Sequence, residues 1–274
     1  MVTKWYLKIP KIFHVYWGVG KLPYLRYLTV ASFMKYNPDW KVWLWYPKYP
    51  SRIVTWGSYE LNYRNIWEDW FQRLLKLDIK IIPTDLTEFG MNNSISEVHK
   101  SDFLRYYFLG KYGGVYSDMD IVYFKPITNI DVNKRENKNK ETFVCISEYG
   151  HSNGFFMAVE GSQFFKSMFE IAKRIDLTKY QSNGPDLCNA RYPTIESIEE
   201  ISPVANIGMD AVYYYNGQNV NKLYQLKDLL FSENSIGCHW YAGSPLSGAF
   251  LNSTNGGLIN LPNNIIGRLC HISL

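Results

Sequence analysis

The sequence predicts an α/β fold in which a mixed, mostly parallel sheet carries helices on both faces and an irregular C-terminal lid region follows. Three observations predict it. Short apolar runs rich in β-branched and aromatic residues alternate with longer segments of helical periodicity. The 274 residues, 46% hydrophobic and 20% charged, suffice for one large buried core. Glycine and proline interrupt the last third, which favours loops that close over a site.

The first part of the chain alternates strands with helices, which favours a parallel sheet. Residues 11–17 (KIFHVYW) are β-branched and aromatic, as expected of a buried strand. Residues 22–36 are apolar at helical spacing, and Asn37-Pro38 stops that helix. The following elements are a strand at 40–46, a helix at 66–77 and a strand at 79–82.

A long helix is predicted over residues 95–112. Ser94, with Glu97 three residues later, forms a capping-box pattern. Gly113-Gly114 ends the helix, because glycine accepts the left-handed conformation common at helix C-termini. The elements predicted after it are strands at 115–118, 121–124, 143–146 and 154–159, and a helix at 163–175.

Composition excludes several classes of protein. A net charge of +4 is too mild for a nucleic-acid partner. Because there is neither a run of 18 apolar residues nor a signal peptide, we expect no membrane span, no export and a cytoplasmic location, peripheral to a membrane at most. The four cysteines form no CxxC pair, which argues against disulfides or zinc and fits a reducing compartment. Aromatics make up 17%, which fits either sugar and nucleobase stacking or a biased composition.

Asp118-Met119-Asp120 follows the strand after the twin glycines. Side chains at i and i+2 of an extended segment point to the same side, so both carboxylates can face one point. Two convergent carboxylates suit Mg²⁺ or Mn²⁺, which also take phosphate oxygens as ligands. Chance alone produces roughly two acidic-x-acidic triplets in such a chain, so the context of helix, glycines and strand is what favours a metal site.

Asp102 and Arg105 lie one turn apart on the preceding helix. They could form an intrahelical ion pair contributing about 0.2–0.5 kcal/mol. Alternatively, the carboxylate accepts hydrogen bonds from sugar hydroxyls and the guanidinium orients it. The flanking glycines favour the second interpretation.

Residues 101–120 follow the pattern SD-x-x-RY-x-x-L-x-x-x-GG-x-Y-x-D-x-D. This pattern resembles the DxD-containing sugar-binding region of glycosyltransferase family 32, which includes initiating mannosyltransferases and bacterial capsule and lipooligosaccharide transferases; the clostridial glucosylating toxins carry a related arrangement. IPKIFHVYWG at residues 9–18 and NPDW at residues 37–40 resemble the family's opening strand and the end of its first helix. The resemblance is specific over residues 9–46 and 94–127.

The resemblance implies a GT-A type, Rossmann-like fold and a retaining transfer of sugar from a nucleotide sugar to a glycan acceptor. It implies Mn²⁺ or Mg²⁺ as cofactor. A UDP-sugar donor is favoured because of Trp17, with GDP-mannose as the alternative. Residues 1–274 would form one domain, with residues 9–127 binding the nucleotide sugar and residues 142–274 forming the acceptor side and lid.

The same resemblance assigns roles by position. Asp102 and Arg105 would hold the donor sugar, and Asp118 and Asp120 the metal, with Asp118 also facing the ribose. The remaining assignments are Trp17 and Gly114 to the nucleotide sugar, His239 to the metal, and Asn153, Asp186 and Trp240 to the acceptor side. The match at residues 239–245 (HWYAGSP) is partial, because Pro245 stands where the family has tryptophan.

Two other classes remain open from the residues alone. A DxD phosphatase of the haloacid-dehalogenase kind carries its motif at the first strand, whereas Asp118 follows three predicted strands. A non-catalytic lectin would fit the aromatic content, but it has no need for an Asp/Arg pair beside a DxD motif.

Overall fold

The computed structural model describes residues 9–52, 68–130, 137, 139–177, 179, 181–194, 197, 204–258 and 260–273, and the statements below concern these residues. The strands are β1 (Ile12–Tyr16), β2 (Lys41–Pro47), β3 (Ile79–Thr84), β4 (Gly114–Ser117), β5 (Ile121–Tyr123), β6 (Thr142–Ser147), β7 (Gly150–Ala158), β8 (Val204–Asn206) and β9 (Gly237–His239). The α-helices are α1 (Tyr24–Tyr36), α2 (Phe71–Leu74), α3 (Glu97–Tyr112), α4 (Gln163–Ala172), α5 (Pro185–Arg191), α6 (Asn221–Gln225), α7 (Pro245–Ser253) and α8 (Ile265–Ile272).

The central sheet has seven strands in the order β3-β2-β1-β4-β7-β6-β8. β7 runs antiparallel to its neighbours β4 and β6, and the other neighbouring strands are parallel. β5 and β9 form a separate antiparallel pair. The mixed, mostly parallel sheet predicted from the sequence is therefore confirmed.

Helices cover both faces of the sheet. Alternate residues of β1 point to opposite faces, as a strand's twofold period requires. Phe13 and Val15 pack with α1 in one buried cluster, whereas Tyr16 packs with α3 and α4 in the other. The chain thus builds two cores, one on each side of a shared sheet.

Several element boundaries differ from the sequence predictions. The helix predicted at 66–77 is reduced to α2 within the described residues, because Asp69 accepts hydrogen bonds from the amides of Leu22 and Phe71 and holds the preceding segment outside the helix. Residues 66 and 67 lie outside the described residues. Part of the glycine-rich stretch expected to form loops is α7, since Ser244 caps it and Pro245 occupies its first turn.

The start and end of α3 explain the pattern around the twin glycines. Ser96, not Ser94, is its N-cap and accepts from the amide of His99, so the predicted capping box is wrong. Gly113 and Gly114 have φ of +63° and +96°. A Cβ on Gly114 would lie 2.4 Å from the carbonyl oxygen of Ile12 in β1. The close pairing of β4 with β1 is therefore sufficient to explain why position 114 is a glycine. A contact between Gly114 and a nucleotide sugar stays a prediction.

His14 lies buried between the sheet and α3. The indole of Trp45 donates to Nδ1 of His14 at 3.1 Å, so the ring is neutral and its Nε2 donates to the carbonyl of Gly113 at 2.8 Å. Burial lowers the pKa of His14 to about 4, although the bond to Gly113 opposes the shift. His14 is therefore a structural residue.

Stability should decrease in acid through His14. Because the pKa of His14 is lower in the folded state, protonation of this residue favours the unfolded chain. The contribution of neutral His14 to the free energy of unfolding is therefore fully present above pH 6.5 and is lost as pH falls towards 4. Between pH 7 and pH 5, we expect the free energy of unfolding to fall by roughly 1–2 kcal/mol more in the wild type than in His14→Gln. Urea denaturation at both pH values measures this, and equal pH dependence of the two proteins would contradict it.

Among the described residues, no helix combines the length and the apolar character needed to cross a membrane. The four cysteines are all buried, and none forms a disulfide bond.

Candidate active site

The candidate site lies where strand order reverses in the sheet. β1 and β4 are parallel neighbours in the sheet. The strands β2 and β3, which follow β1, lie on one side of this pair, whereas β6, β7 and β8, which follow β4, lie on the other side. Ligands of open α/β sheets bind outside the carboxyl ends of strands at such a point. Trp17 follows β1 and Asp118 follows β4, so both residues lie at this edge.

Pairing of β5 with β9 brings His239 to the acidic motif. Ile121 pairs with His239 in the antiparallel register, and the amide of Trp240 donates to the carbonyl of Asp120 at 2.9 Å. The sequence between Asp118 and His239 carries no local signal for this contact. A long-range strand pair therefore completes the cluster.

Asp118, Asp120 and His239 form the cation-binding candidate, which we call the acidic trio. One ligand atom from each lies within 4.8 Å of the other two, and no other such group occurs in the described ranges. The side chain of Asp118 is 31% exposed and that of Asp120 13% exposed, so the trio opens towards solvent. Two carboxylates and an imidazole are a donor set that divalent cations accept.

Asp120 is held as a carboxylate. Nε2 of His239 lies 3.1 Å from one of its oxygens, and the amide of Ala242 donates to the other at 3.0 Å. Burial alone would raise the pKa of Asp120, but attraction to His239 and Arg26 and the bond from Ala242 hold it well below its usual range. The charge needed to bind a cation is therefore present across the physiological pH range.

Arg105 links the helix to the motif. Its guanidinium lies 2.8 Å from Asp102 and 3.1 Å from Asp118, and it donates to the carbonyl of Asn153. The ring of Tyr116 lies below it, 4.6 Å from the guanidinium carbon. The intrahelical ion pair between Asp102 and Arg105, one of the two interpretations open from the sequence, is present. The same guanidinium also contacts Asp118 of the acidic trio.

Asp102 differs from Asp120 in its electrostatics. Burial raises the pKa of Asp102 to about 7. Attraction to Arg105 opposes this increase, whereas repulsion from Asp118 adds to it. A carboxyl group near this value can both accept and donate hydrogen bonds around neutral pH. A Cβ on Gly184 would lie 3.1 Å from both oxygens of Asp102, so the turn before α5 passes directly over this carboxyl group.

Several buried polar atoms around these residues have no hydrogen-bond partner among the residues described. They are Oδ1 of Asn153, both side-chain amide atoms of Asn183, the hydroxyl of Tyr213, Nδ1 of His239 and Nε1 of Trp240. Buried polar groups are normally paired. Their concentration here indicates a site built for a polar ligand.

Sequence reasoning missed two of these residues. Asn183, at the start of the turn before α5, has a buried side-chain amide with no partner among the described residues. Asp186, which the resemblance assigns to the acceptor side, is exposed in the first turn of α5. Tyr213 follows a short 3-10 helix and had no sequence signal.

Trp17 and Trp240 are both buried. Nε1 of Trp17 donates to the carbonyl of Gly20 at 3.3 Å, and the guanidinium of Arg26 lies near both indole rings. Stacking of Trp17 on a nucleobase and an acceptor-side role for Trp240 stay predictions.

Gly154→Ala should weaken cation binding. A Cβ there would lie 2.7 Å from the hydroxyl of Tyr213 and 2.8 Å from Oδ2 of Asp118, so Asp118 must move. We expect Mn²⁺ affinity to fall about tenfold, as for other changes that displace a metal ligand. Calorimetric titration with Mn²⁺ measures it. Gly217→Ala is the control, since a Cβ there meets no atom within 4 Å. Unchanged affinity in Gly154→Ala would contradict the geometry.

The chain is similar in sequence to known proteins over part of its length. Residues 25–139 match the family model described as "Glycosyltransferase sugar-binding region containing DXD motif". Inositol phosphoceramide mannosyltransferase 1 of Schizosaccharomyces pombe is 25% identical over 170 residues, which cover 61% of this chain and 44% of that protein. The chain therefore spans less than half the length of this relative.

Similar solved structures include the PaToxG glycosyltransferase, with 16% identity, a TM-score of 0.47 and coverage of 69% of this chain and 70% of that one. The galactosyltransferase LgtC in complex with donor and acceptor sugar analogues has 15% identity, a TM-score of 0.45 and coverage of 85% and 87%. The residues matched by the family model include Asp102, Arg105, Asp118 and Asp120. Residues 25–139 are therefore similar to the DXD-containing sugar-binding region of glycosyltransferases, in agreement with the resemblance to family 32.

Proposed function

We propose that the protein is a metal-dependent, retaining glycosyltransferase that moves a sugar from a nucleoside diphosphate to a hydroxyl of a glycan acceptor. The observation that carries the proposal is the acidic trio, whose ligand atoms lie within 4.8 Å of one another beside the Asp102–Arg105 pair. A UDP-sugar is the favoured donor. The mannosyltransferase name of the Schizosaccharomyces pombe relative supports GDP-mannose as the alternative.

The trio fits a divalent cation. Asp118 and Asp120 supply carboxylates, and His239 has a buried Nδ1 without a partner among the described residues. A bound Mn²⁺ or Mg²⁺ supplies positive charge that stabilises the leaving diphosphate. Asp120, fixed by Ala242 and His239, needs little rearrangement to serve as a ligand.

The donor sugar would lie against Asp102 and Arg105. Contacts with Asp102, Asp118 and the carbonyl of Asn153 fix the orientation of the Arg105 guanidinium. The N–H groups that these contacts do not use would then donate to the sugar in a fixed direction. The unpaired amide atoms of Asn153 and Asn183 offer further bonds to hydroxyls. This set of donors and acceptors suits a polyhydroxylated ligand.

Retention would follow attack on the same face of the sugar from which the diphosphate leaves. The carboxyl groups around the trio would have other roles: Asp118 and Asp120 would hold the cation, and Asp102 pairs with Arg105. None is assigned as a covalent nucleophile. We infer that a phosphate oxygen of the donor takes the proton of the acceptor hydroxyl while the chain's residues hold both substrates. The product's anomeric configuration, read by NMR, tests retention.

A thermal-shift panel tests the proposed function. We expect UDP or GDP to raise the melting temperature in the presence of Mn²⁺ and to have little effect in EDTA, because a ligand of the native state stabilises it. Asp120→Asn should lose this Mn²⁺-dependent shift. Hydrolysis of the matching nucleotide sugar separates a transferase from a lectin, which would bind sugar without cleaving the donor. No shift with any nucleoside diphosphate would contradict the proposal.

A further inference from the structure

Tyr213 is held beside His239 by the backbone. It follows the short 3-10 helix Met209–Ala211 and is 4% exposed. The amide of His239 donates to the carbonyl of Val212 at 2.8 Å, so the segment that carries Tyr213 is bonded to the end of β9. The centroids of the phenol and imidazole rings lie 5.0 Å apart. Tyr213 therefore forms part of the surroundings of the acidic trio.

The hydroxyl of Tyr213 lies close to Oδ2 of Asp118. A Cβ on Gly154 would lie 2.7 Å from that hydroxyl and 2.8 Å from Oδ2, so the two oxygens flank one point. The hydroxyl of Tyr116 donates to Oδ1 of Asp118 at 2.7 Å, and the guanidinium of Arg105 contacts the same Oδ1 at 3.1 Å. Oδ2 is thus the oxygen that Asp118 can offer to a cation, and Tyr213 lies next to it.

The hydroxyl of Tyr213 is buried and has no hydrogen-bond partner within the described ranges. Burial of a hydroxyl without a partner is unfavourable, and phenylalanine would fill the same space without this penalty. A phenol keeps its proton at neutral pH and can donate it to an acceptor. The unpaired hydroxyl therefore indicates that a bound ligand supplies an acceptor at this place.

A phosphate oxygen is the acceptor that suits this place. A divalent cation such as Mn²⁺ or Mg²⁺ takes about six ligands, and the trio supplies three. The remaining positions are filled by water or by phosphate oxygens. A phosphate oxygen bound next to Oδ2 of Asp118 would also be next to the hydroxyl of Tyr213, and its charge strengthens the hydrogen bond. A neutral hydroxyl donates to it without the repulsion that a cationic side chain exerts on a metal ion.

We propose that the hydroxyl of Tyr213 donates a hydrogen bond to an oxygen of the donor's diphosphate, where that diphosphate meets the acidic trio. This inference rests on the proposed function, and it adds to the site a residue far from the DXD motif in the sequence. Tyr213 contacts the leaving group and does not coordinate the cation. Its bond strengthens as the diphosphate gains charge, which favours the transition state over the bound substrate.

Tyr213→Phe tests the inference, because it removes one oxygen atom and keeps the ring. In calorimetric titrations with Mn²⁺ present, the affinity for UDP should fall about tenfold, which corresponds to one hydrogen bond to a charged group. The affinities for uridine, which has no phosphate, and for Mn²⁺ alone should stay within about twofold. The melting temperature of the ligand-free variant should equal or exceed that of the wild type, since the lost hydroxyl had no partner. GDP and guanosine replace UDP and uridine if the thermal-shift panel selects GDP.

Tyr24→Phe is the matched control. Tyr24 is also buried, but its hydroxyl donates to the carbonyl of Cys270 at 3.3 Å. Its removal should lower the melting temperature of the ligand-free protein and leave the affinity for UDP unchanged. The two variants are therefore expected to show opposite patterns of stability and binding.

Unchanged UDP affinity in Tyr213→Phe would overturn the inference. An equal loss of affinity for Mn²⁺ alone would also overturn it, because Tyr213 would then act on the cation or its water rather than on the phosphate. A lower melting temperature of ligand-free Tyr213→Phe would show that the hydroxyl already bonds within the protein, against the inference. A wild type that binds neither UDP nor GDP in Mn²⁺ would contradict the proposed function itself, whereas wild-type binding with equal binding by the variant rejects only the role of Tyr213.

Discussion

Replacing Asp120 by asparagine should lower kcat/KM for sugar transfer about a thousandfold, since a bound cation's stabilisation of the leaving group amounts to several kcal/mol. Asparagine keeps the shape of the side chain and can still accept the bond from the amide of Ala242. It removes the negative charge that holds a cation next to Asp118 and His239. Steady-state kinetics with the nucleotide sugar selected by the thermal-shift panel measures the effect.

The charge, rather than the fold, is the reason for this loss. EDTA should reduce wild-type activity to the level of Asp120→Asn and should leave the variant unchanged. Asp39→Asn is the matched control, because Asp39 also pairs with a basic side chain, that of Lys11, but lies exposed on the surface. It should keep full activity. Turnover of Asp120→Asn in EDTA at the wild-type rate would refute the role of the cation.

Replacing Arg105 by methionine should lower the free energy of unfolding by about 3–5 kcal/mol, the typical result of removing one partner from a buried ion pair. The Arg105 side chain is 5% exposed, and its guanidinium pairs with both Asp102 and Asp118. Without it, the carboxyl group of Asp102 stays buried with no cation beside it. Urea denaturation measures the loss, and an activity assay at low temperature should show little transfer even in the folded fraction.

Arg73→Met supplies the comparison for Arg105. Arg73 pairs with Glu68 at 3.5 Å, but both side chains are largely exposed, so its replacement should cost less than about 1 kcal/mol. Arg105→Lys should keep more stability than Arg105→Met, yet it should still lose activity because a point charge cannot replace a planar fork that bonds several partners at once. Equal stability of Arg105→Met and Arg73→Met would show that the buried network contributes nothing.

The two experiments address different parts of one site. Asp120 is linked to the C-terminal segment through His239 and Ala242, whereas Asp102 is linked to Asp118 through Arg105. Asp118 therefore stands between the groups proposed for the sugar and those proposed for the cation. Under the proposed function, a single short motif would therefore serve both the donor sugar and the diphosphate.

Local sequence patterns determined the fold class and part of the candidate site. Strand and helix periods predicted the layered α/β fold, because alternation of apolar residues depends on neighbours only two to four positions away. The pairing of Asp102 with Arg105 follows from one helical turn. Asp118 and Asp120 do converge, but not through the extended segment that the sequence predicted, because β4 ends at Ser117 and Met119 and Asp120 lie in a turn. These four residues lie within α3 and the short segment that follows β4, so their proximity could be predicted without long-range information.

Only the tertiary structure decided which distant residues complete the site. His239 was expected from a resemblance, and its contact with Asp120 depends on the pairing of β5 with β9. The places of Tyr213 beside Asp118 and of Asn183 above the helix had no local signature. The physical reason is that such contacts are set by how whole elements pack and bury their surfaces, a free energy that no short stretch of sequence contains.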